Sequence, residues 1–129
     1  MSFENLYEFL AALGQNNSKE WMDSNRKQYH RVRDFYIAWL EVLNQELAGI
    51  DPDYFDTPGK KAINRINNNL MFQPLKPVYK NHFGAGLDQI TKQGDFYIQI
   101  GIEENFIGAG YWHPSSKVLK SIREAIDYN

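Results

Sequence analysis

The sequence predicts an α+β fold, with N-terminal helices packed on an antiparallel β-meander and a C-terminal helix after it. Three observations carry this expectation. Apolar residues recur every three or four positions through the first 50 residues. From Asp95 onward they alternate every second residue. From Ser115 to the end the helical spacing returns. Helix-type and strand-type periodicities are thus segregated along the chain, as in α+β proteins. One domain is expected over 1–129, with a helical part at about 1–50, a sheet part at about 60–113 and a helix at about 115–128.

The first helix is marked by Phe3, Leu6, Tyr7, Leu10 and Leu13, with Ser2 as N-cap and Gly14 as stop. Gln15-Asn16-Asn17 is a polar break, after which Asn17 or Ser18 caps a helix carrying Lys19, Glu20, Trp21 and Met22. A long helix follows from about 25 to 48, bent near Ser24-Asn25. Its stripe is Tyr29, Val32, Tyr36, Trp39, Leu40, Leu43, Leu47 and Ile50; Lys27, Arg31, Asp34, Glu41 and Gln45 lie opposite. Gly49-Ile50-Asp51-Pro52 ends it.

Asp53 to Gly59 reads as a loop, and Ala62 to Asn67 as a short strand. Asn67-Asn68-Asn69 suits a turn, because asparagine tolerates left-handed backbone and bonds its own chain. Pro74 and Pro77 make Leu70 to Tyr79 an extended, irregular loop. His82 to Leu87 is a short strand weakened by Gly84 and Gly86. The clearest strand is Asp95 to Glu103, with Phe96, Ile98, Ile100 and Ile102 on one face. A tight turn at Glu104-Asn105 leads to a return strand, Phe106 to Trp112. Ser115 or Ser116 caps the last helix, whose inner face is Val118, Leu119, Ile122, Ala125 and Ile126.

Composition excludes several classes. With 43% hydrophobic and 15% aromatic residues the chain is globular, not disordered. There is no cysteine, which removes disulfides, thiolate nucleophiles and cysteine-based zinc sites. No apolar run approaches the ~18 residues of a membrane span. The N-terminus, with Glu4 and Glu8, lacks the basic start of a signal peptide. A net charge of -2 favours neither membrane nor nucleic acid. A cytoplasmic protein without a membrane partner is expected.

The segment from Lys60 to Gly86 stands apart. It holds five of the fourteen basic residues (Lys60, Lys61, Arg65, Lys76 and Lys80), and no acid falls between Asp56 and Asp88. With a whole-chain net of -2, this +5 leaves -7 for the remainder. Such asymmetry can create a local anion site. Arginine offers a planar fork for phosphate or carboxylate and lysine a point charge. Tyr79 and His82 add further donors. The expected ligand-binding residues are therefore Arg65, Lys76, Tyr79, Lys80 and His82. The plainer alternative is a solvated loop whose bases pair with acids on the helices.

Other motifs carry less. His30, His82 and His113 match no metal-ligand spacing, and neither metal nor cofactor is expected. His82 could serve as a general acid or base only in a cleft with a partner. Gly108-Ala109-Gly110 lacks a third glycine and a following helix, so it makes room for aromatic rings instead of cradling phosphate. Trp21 and Trp39 belong to the core, while Tyr97, Tyr111 and Trp112 could rim a pocket.

The order N-N-S-K-E-W-M, a tyrosine eight residues after the tryptophan, R-I, F-x-x-x-K-P-x-Y-K and a G-x-G before Trp-His-Pro resembles the uncharacterised family called domain of unknown function 2461. The matching positions include Asn16, Asn17, Trp21, Tyr29, Arg65, Ile66, Phe72, Lys76, Tyr79, Lys80, Gly108, Gly110 and Trp112. The resemblance implies no agreed activity. It also implies a charged R-D-x-R-F-S-x-D-K cluster where this chain has Asn68 to Lys76, without either arginine or either aspartate. Members of the family it resembles usually continue well beyond Asn129, so the chain is either a short member or one lacking the family's C-terminal part; in the second case an apolar face is exposed and a homodimer is expected.

The residues leave the activity open. The expected function is a non-enzymatic binding module with a basic anion-binding loop over 60–82. An enzyme acting on a small phosphorylated or carboxylated substrate is the alternative, and a nucleic-acid-associated protein, disfavoured by net charge, is the third.

Overall fold

The computed structural model of the chain describes residues 1–54, 56–88 and 96–109. Helix α1 (Phe3–Gln15) starts at Ser2, whose hydroxyl accepts the Asn5 amide while Asn5 Oδ1 accepts the Ser2 amide. That reciprocal capping box satisfies donors the first turn cannot pair internally. The stop is Asn16 and not Gly14: the Asn16 amide donates to Leu13 O, and its Nδ2 to Ala12 O. The buried face is Leu6, Phe9, Leu10 and Leu13. Phe9 lies outside the expected stripe because α1 is covered from a second side, where Trp21 and Tyr29 meet the Phe9 ring.

Ser18 caps α2 (Lys19–Ser24) by accepting the Trp21 amide at 3.2 Å. The bend predicted near Ser24-Asn25 separates α2 from α3 (Arg26–Ile50), and Asn25 Nδ2 donates across it to Trp21 O. Helix α3 buries Val32, Tyr36, Trp39, Leu40, Leu43 and Leu47, as the spacing predicts, together with Asn44. Asn44 tolerates full burial because both ends of its amide are used. Its Nδ2 donates to Thr57 O at 2.6 Å, and its Oδ1 accepts the Tyr54 hydroxyl. Burial, with Asp88, Asp56 and Glu41 nearby, raises the Tyr54 pKa and keeps that hydroxyl a donor.

Glu41, expected on the solvent side, is half-buried, and its Oε1 accepts the Gly59 amide. A Cβ at residue 59 would lie 2.9 Å from both Glu41 Oε1 and Ile37 Cγ2, so only glycine lets the chain lie this close to α3. The one-turn helix α4 (Gly59–Ala62) begins there. The strand expected over Ala62 to Asn67 does not form. Only isolated bridges occur, Ile63 with Ala85 and Asn67 with Tyr79, because the asparagine run turns the chain off the sheet edge.

Three strands form one antiparallel sheet in the order β1-β2-β3: β1 (His82–Leu87), β2 (Phe96–Gly101) and β3 (Phe106–Ala109). The register pairs Phe83 with Ile100, Ala85 with Ile98 and Leu87 with Phe96. All six are buried on the face that meets α3. There the Tyr36 hydroxyl donates to Ile98 O at 3.2 Å, and the Phe83 ring packs 5.7 Å from Tyr36 and 6.2 Å from Tyr29. The helices and then the strands thus give the expected α+β arrangement.

Two strand details differ from expectation. Strand β2 stops at Gly101, and Ile102 leaves the buried face, because the Gly101 amide is taken by Asn105 Oδ1 at 2.8 Å. The same oxygen accepts the Tyr7 hydroxyl at 3.0 Å, tying the hairpin end to α1. The glycine that makes room for an aromatic ring is Gly84, where a Cβ would sit 2.6 Å from Tyr97 Oη. Among the described residues, a Cβ at Gly108 would meet Phe106 Cε2, at an ordinary 3.9 Å. The expected C-terminal helix at 115–128 and the 110–113 part of the sheet lie outside the described residues, as do Gly110, Tyr111, Trp112 and His113.

Candidate anion-binding cleft

The basic segment folds as an irregular hairpin standing off the β1 edge. On the outgoing side the Asn64 amide donates to Gly84 O, still beside the sheet. The two arms then pair with each other: Lys80 N donates to Ile66 O at 2.7 Å and Asn68 N to Val78 O at 3.0 Å. Asn69 Oδ1 accepts the Met71 amide, an asparagine turn of the kind the sequence predicts. Asn68 Nδ2 donates to Pro77 O across the neck. Asn68 and Asn69 are thus engaged in holding the hairpin itself.

The returning arm is fixed to the helices by one residue. Asn17, between α1 and α2, accepts the Tyr79 amide at 2.8 Å and donates to Tyr79 O at 3.0 Å. This pair of hydrogen bonds to one residue flanks a cleft of about 550 Å³ between three elements. The α1–α2 turn contributes Gly14 and Asn17, the hairpin Lys76 and Lys80, and the end of the sheet His82 and Glu103.

Four of the five expected residues line this cleft: Lys76, Tyr79, Lys80 and His82. Tyr79 does so while only 3% exposed, so its ring belongs to the core and its peptide is the held element. Arg65 is not among the lining residues. Its side chain is exposed, and its carbonyl accepts Lys80 Nζ at 2.8 Å. The pairing of these bases with acidic helices, the plainer expectation, is not seen: among the described residues the one ion pair is Arg26 with Asp23.

The electrostatics follow from this crowding. Burial, then Arg65 and Lys76, lower the Lys80 pKa. Burial, then Lys80 and Lys76, lower the His82 pKa and favour the neutral imidazole. His82 Nδ1 lies 3.0 Å from Asn81 Oδ1. With that oxygen as acceptor, Nδ1 carries the proton and Nε2 keeps its lone pair. A bound anion would reverse each of these shifts, since it rewards the charged forms that burial and neighbouring cations penalise.

His30 is exposed, with its ring edge-on to Tyr29, and no three His, Asp or Glu side chains group as metal ligands among the described residues. Trp21 and Tyr29 pack on Phe9, and Trp39 on Phe3 and Tyr36, which makes them structural. Asn17, Ile102 and Glu103 were not expected at the site. The one signal for Asn17 is its place in the Asn-Asn-Ser break ahead of a capped helix.

Fold and cleft together define an α+β protein with a basic cleft at one end of its sheet. A family model described as "Conserved hypothetical protein (DUF2461)" matches residues 5–129, and the chain belongs to that family. No curated protein and no solved structure matches the chain.

Proposed function

We propose that the protein is a binding module for a small phosphorylated or carboxylated anion, held in the cleft by Lys76, Lys80 and His82. The observation that carries the reading is the convergence of these three groups on one cleft. Burial first, and then the neighbouring cations, lower the Lys80 and His82 pKa values. Lysine ammonium groups bind phosphate as point charges, and His82 adds a charge once protonated. The reading places the protein in the cytoplasm, where such metabolites are concentrated.

A thermal-shift screen with inorganic phosphate, nucleotides and di- and tricarboxylates tests it. A true ligand at a hundredfold excess over its Kd adds about 2.7 kcal/mol to stability. The shift should vanish in Lys76→Ala and shrink in Lys80→Ala. If no anion shifts the wild-type protein, the reading fails. A second reading, an enzyme on the same substrate class, is favoured by one observation: His82 is held toward neutrality in the cleft, as a general base requires. Turnover of a binding anion, lost in His82→Gln while binding survives, would distinguish it.

A further inference from the structure

The hairpin turn beyond the cleft carries unusual apolar exposure. Every residue from 69 to 77 is exposed, with Leu75 at 100%, Met71 at 84% and Phe72 at 78%. Leu70 stands beside them at 38%. Single exposed apolar residues are ordinary, but this cluster on one projecting turn is the kind of surface that marks an interaction site.

The backbone of the turn satisfies part of its own hydrogen bonding. The Met71, Gln73 and Lys76 amides are bonded within the turn, to Asn69 Oδ1, Asn69 O and Gln73 O. Pro74 and Pro77 have no amide hydrogen, and Pro77 O accepts Asn68 Nδ2. The Leu70, Phe72 and Leu75 amides have no partner within the turn, so the backbone stays at headgroup depth, where water and lipid oxygens pair them, while the apolar side chains reach inward.

Charge narrows the occupant. The turn lies inside the acid-free stretch between Asp56 and Asp88, with Lys76 directly after Leu75 and Lys80 at the neck. Two copies meeting turn to turn would bring these like charges together, which opposes that pairing. An anionic lipid surface attracts the bases and accepts convex apolar side chains without a matching pocket. The sequence expectation of no membrane partner came from the whole-chain charge and the lack of a spanning run. Neither reports a local surface of this kind.

We infer that Leu70, Met71, Phe72 and Leu75 insert into the interface of an anionic bilayer, with Lys76 and its basic neighbours at the headgroups. The chain then lies on the membrane surface without crossing it. This goes beyond the cleft's affinity for a free anion and does not depend on it.

Vesicle co-sedimentation of the full chain tests it. The lipids are phosphatidylcholine alone and phosphatidylcholine mixed with phosphatidylglycerol, each at low salt and at roughly 0.5 M salt. Binding is expected only with the anionic vesicles, at least about tenfold weaker at high salt. The double variant Phe72→Asp/Leu75→Asp should lose about tenfold or more in vesicle affinity. Both side chains are exposed, so its thermal unfolding should match wild type. It should also keep any phosphate-induced thermal shift, which separates this surface from the cleft. The inference is overturned if anionic vesicles do not bind at low salt, or if the double variant binds them as well as wild type. It is equally overturned if wild type self-associates through the turn in sedimentation velocity while ignoring vesicles.

Discussion

Phe83 and Tyr79 lie four positions apart, both buried, yet they are fixed by different means. Phe83 sits on a strand whose register is set by pairing with Ile100, and its ring packs among Tyr29 and Tyr36. Many weak contacts hold it, and each could be exchanged for another of similar size. Tyr79 lies three residues before β1, on an irregular arm that is bridged to the outgoing arm at Asn67. Its peptide is positioned by the amide of Asn17, 62 residues earlier. Distributed packing builds the sheet's core face. Discrete polar bonds build the cleft. The first tolerates variation and the second does not.

The largest test of this contrast is Phe83→Ala. Removing a buried ring from the α3–sheet interface should cost about 3–5 kcal/mol in urea unfolding. A loss under ~1 kcal/mol would mean the ring is not part of a packed core. Next is Asn17→Ala, which leaves the Tyr79 N–H and C=O without their partner and should cost about 1–3 kcal/mol. Unlike Phe83→Ala, it should also weaken anion binding, because the arm carrying Lys76 and Lys80 loses its anchor. If anion affinity is unchanged, the clamp does not shape the cleft.

The smallest effect is the pH dependence of His82. Its folded pKa lies below the ordinary ~6.5, so the unfolded chain binds the proton more readily. The His82 contribution to stability is therefore present above about pH 6.5 and is lost as pH falls towards the lower folded pKa. Anion binding should run the other way and tighten as His82 gains its proton. Urea unfolding and phosphate titrations between about pH 5 and 8, on wild type and His82→Gln, measure both slopes. Identical slopes in the two proteins would remove His82 from the site.

The same contrast explains what the sequence could reveal. Burial periodicity is local, so the stripe from Val32 to Leu47 and the face Phe96, Ile98 and Ile100 were legible at once. Phe9 escaped because its burial depends on two partners, Trp21 and Tyr29, that no single-helix pattern includes. The 62–67 segment reads as a strand by composition, but the asparagines after it decide where the edge ends. Charge and donor type picked out Lys76, Lys80 and His82. They gave Arg65 equal standing, yet it lies outside the cleft lining, because side-chain direction on an irregular arm has no period. Asn17 and Glu103 reach the cleft through long-range placement; the Asn-Asn-Ser break is the one local signal for Asn17, and nothing adjacent to Glu103 in sequence announces it.

Asn17 has a further consequence. A carboxamide carries the same donor and acceptor as a peptide group, so this one side chain stands in for a neighbouring strand. Aspartate has the same shape but would surrender the donor, and glutamine has both groups but one methylene too many. The position therefore acts as a single-letter address: a chain that changes it must find another way to bring residue 79 to the helices, or give up the space between them.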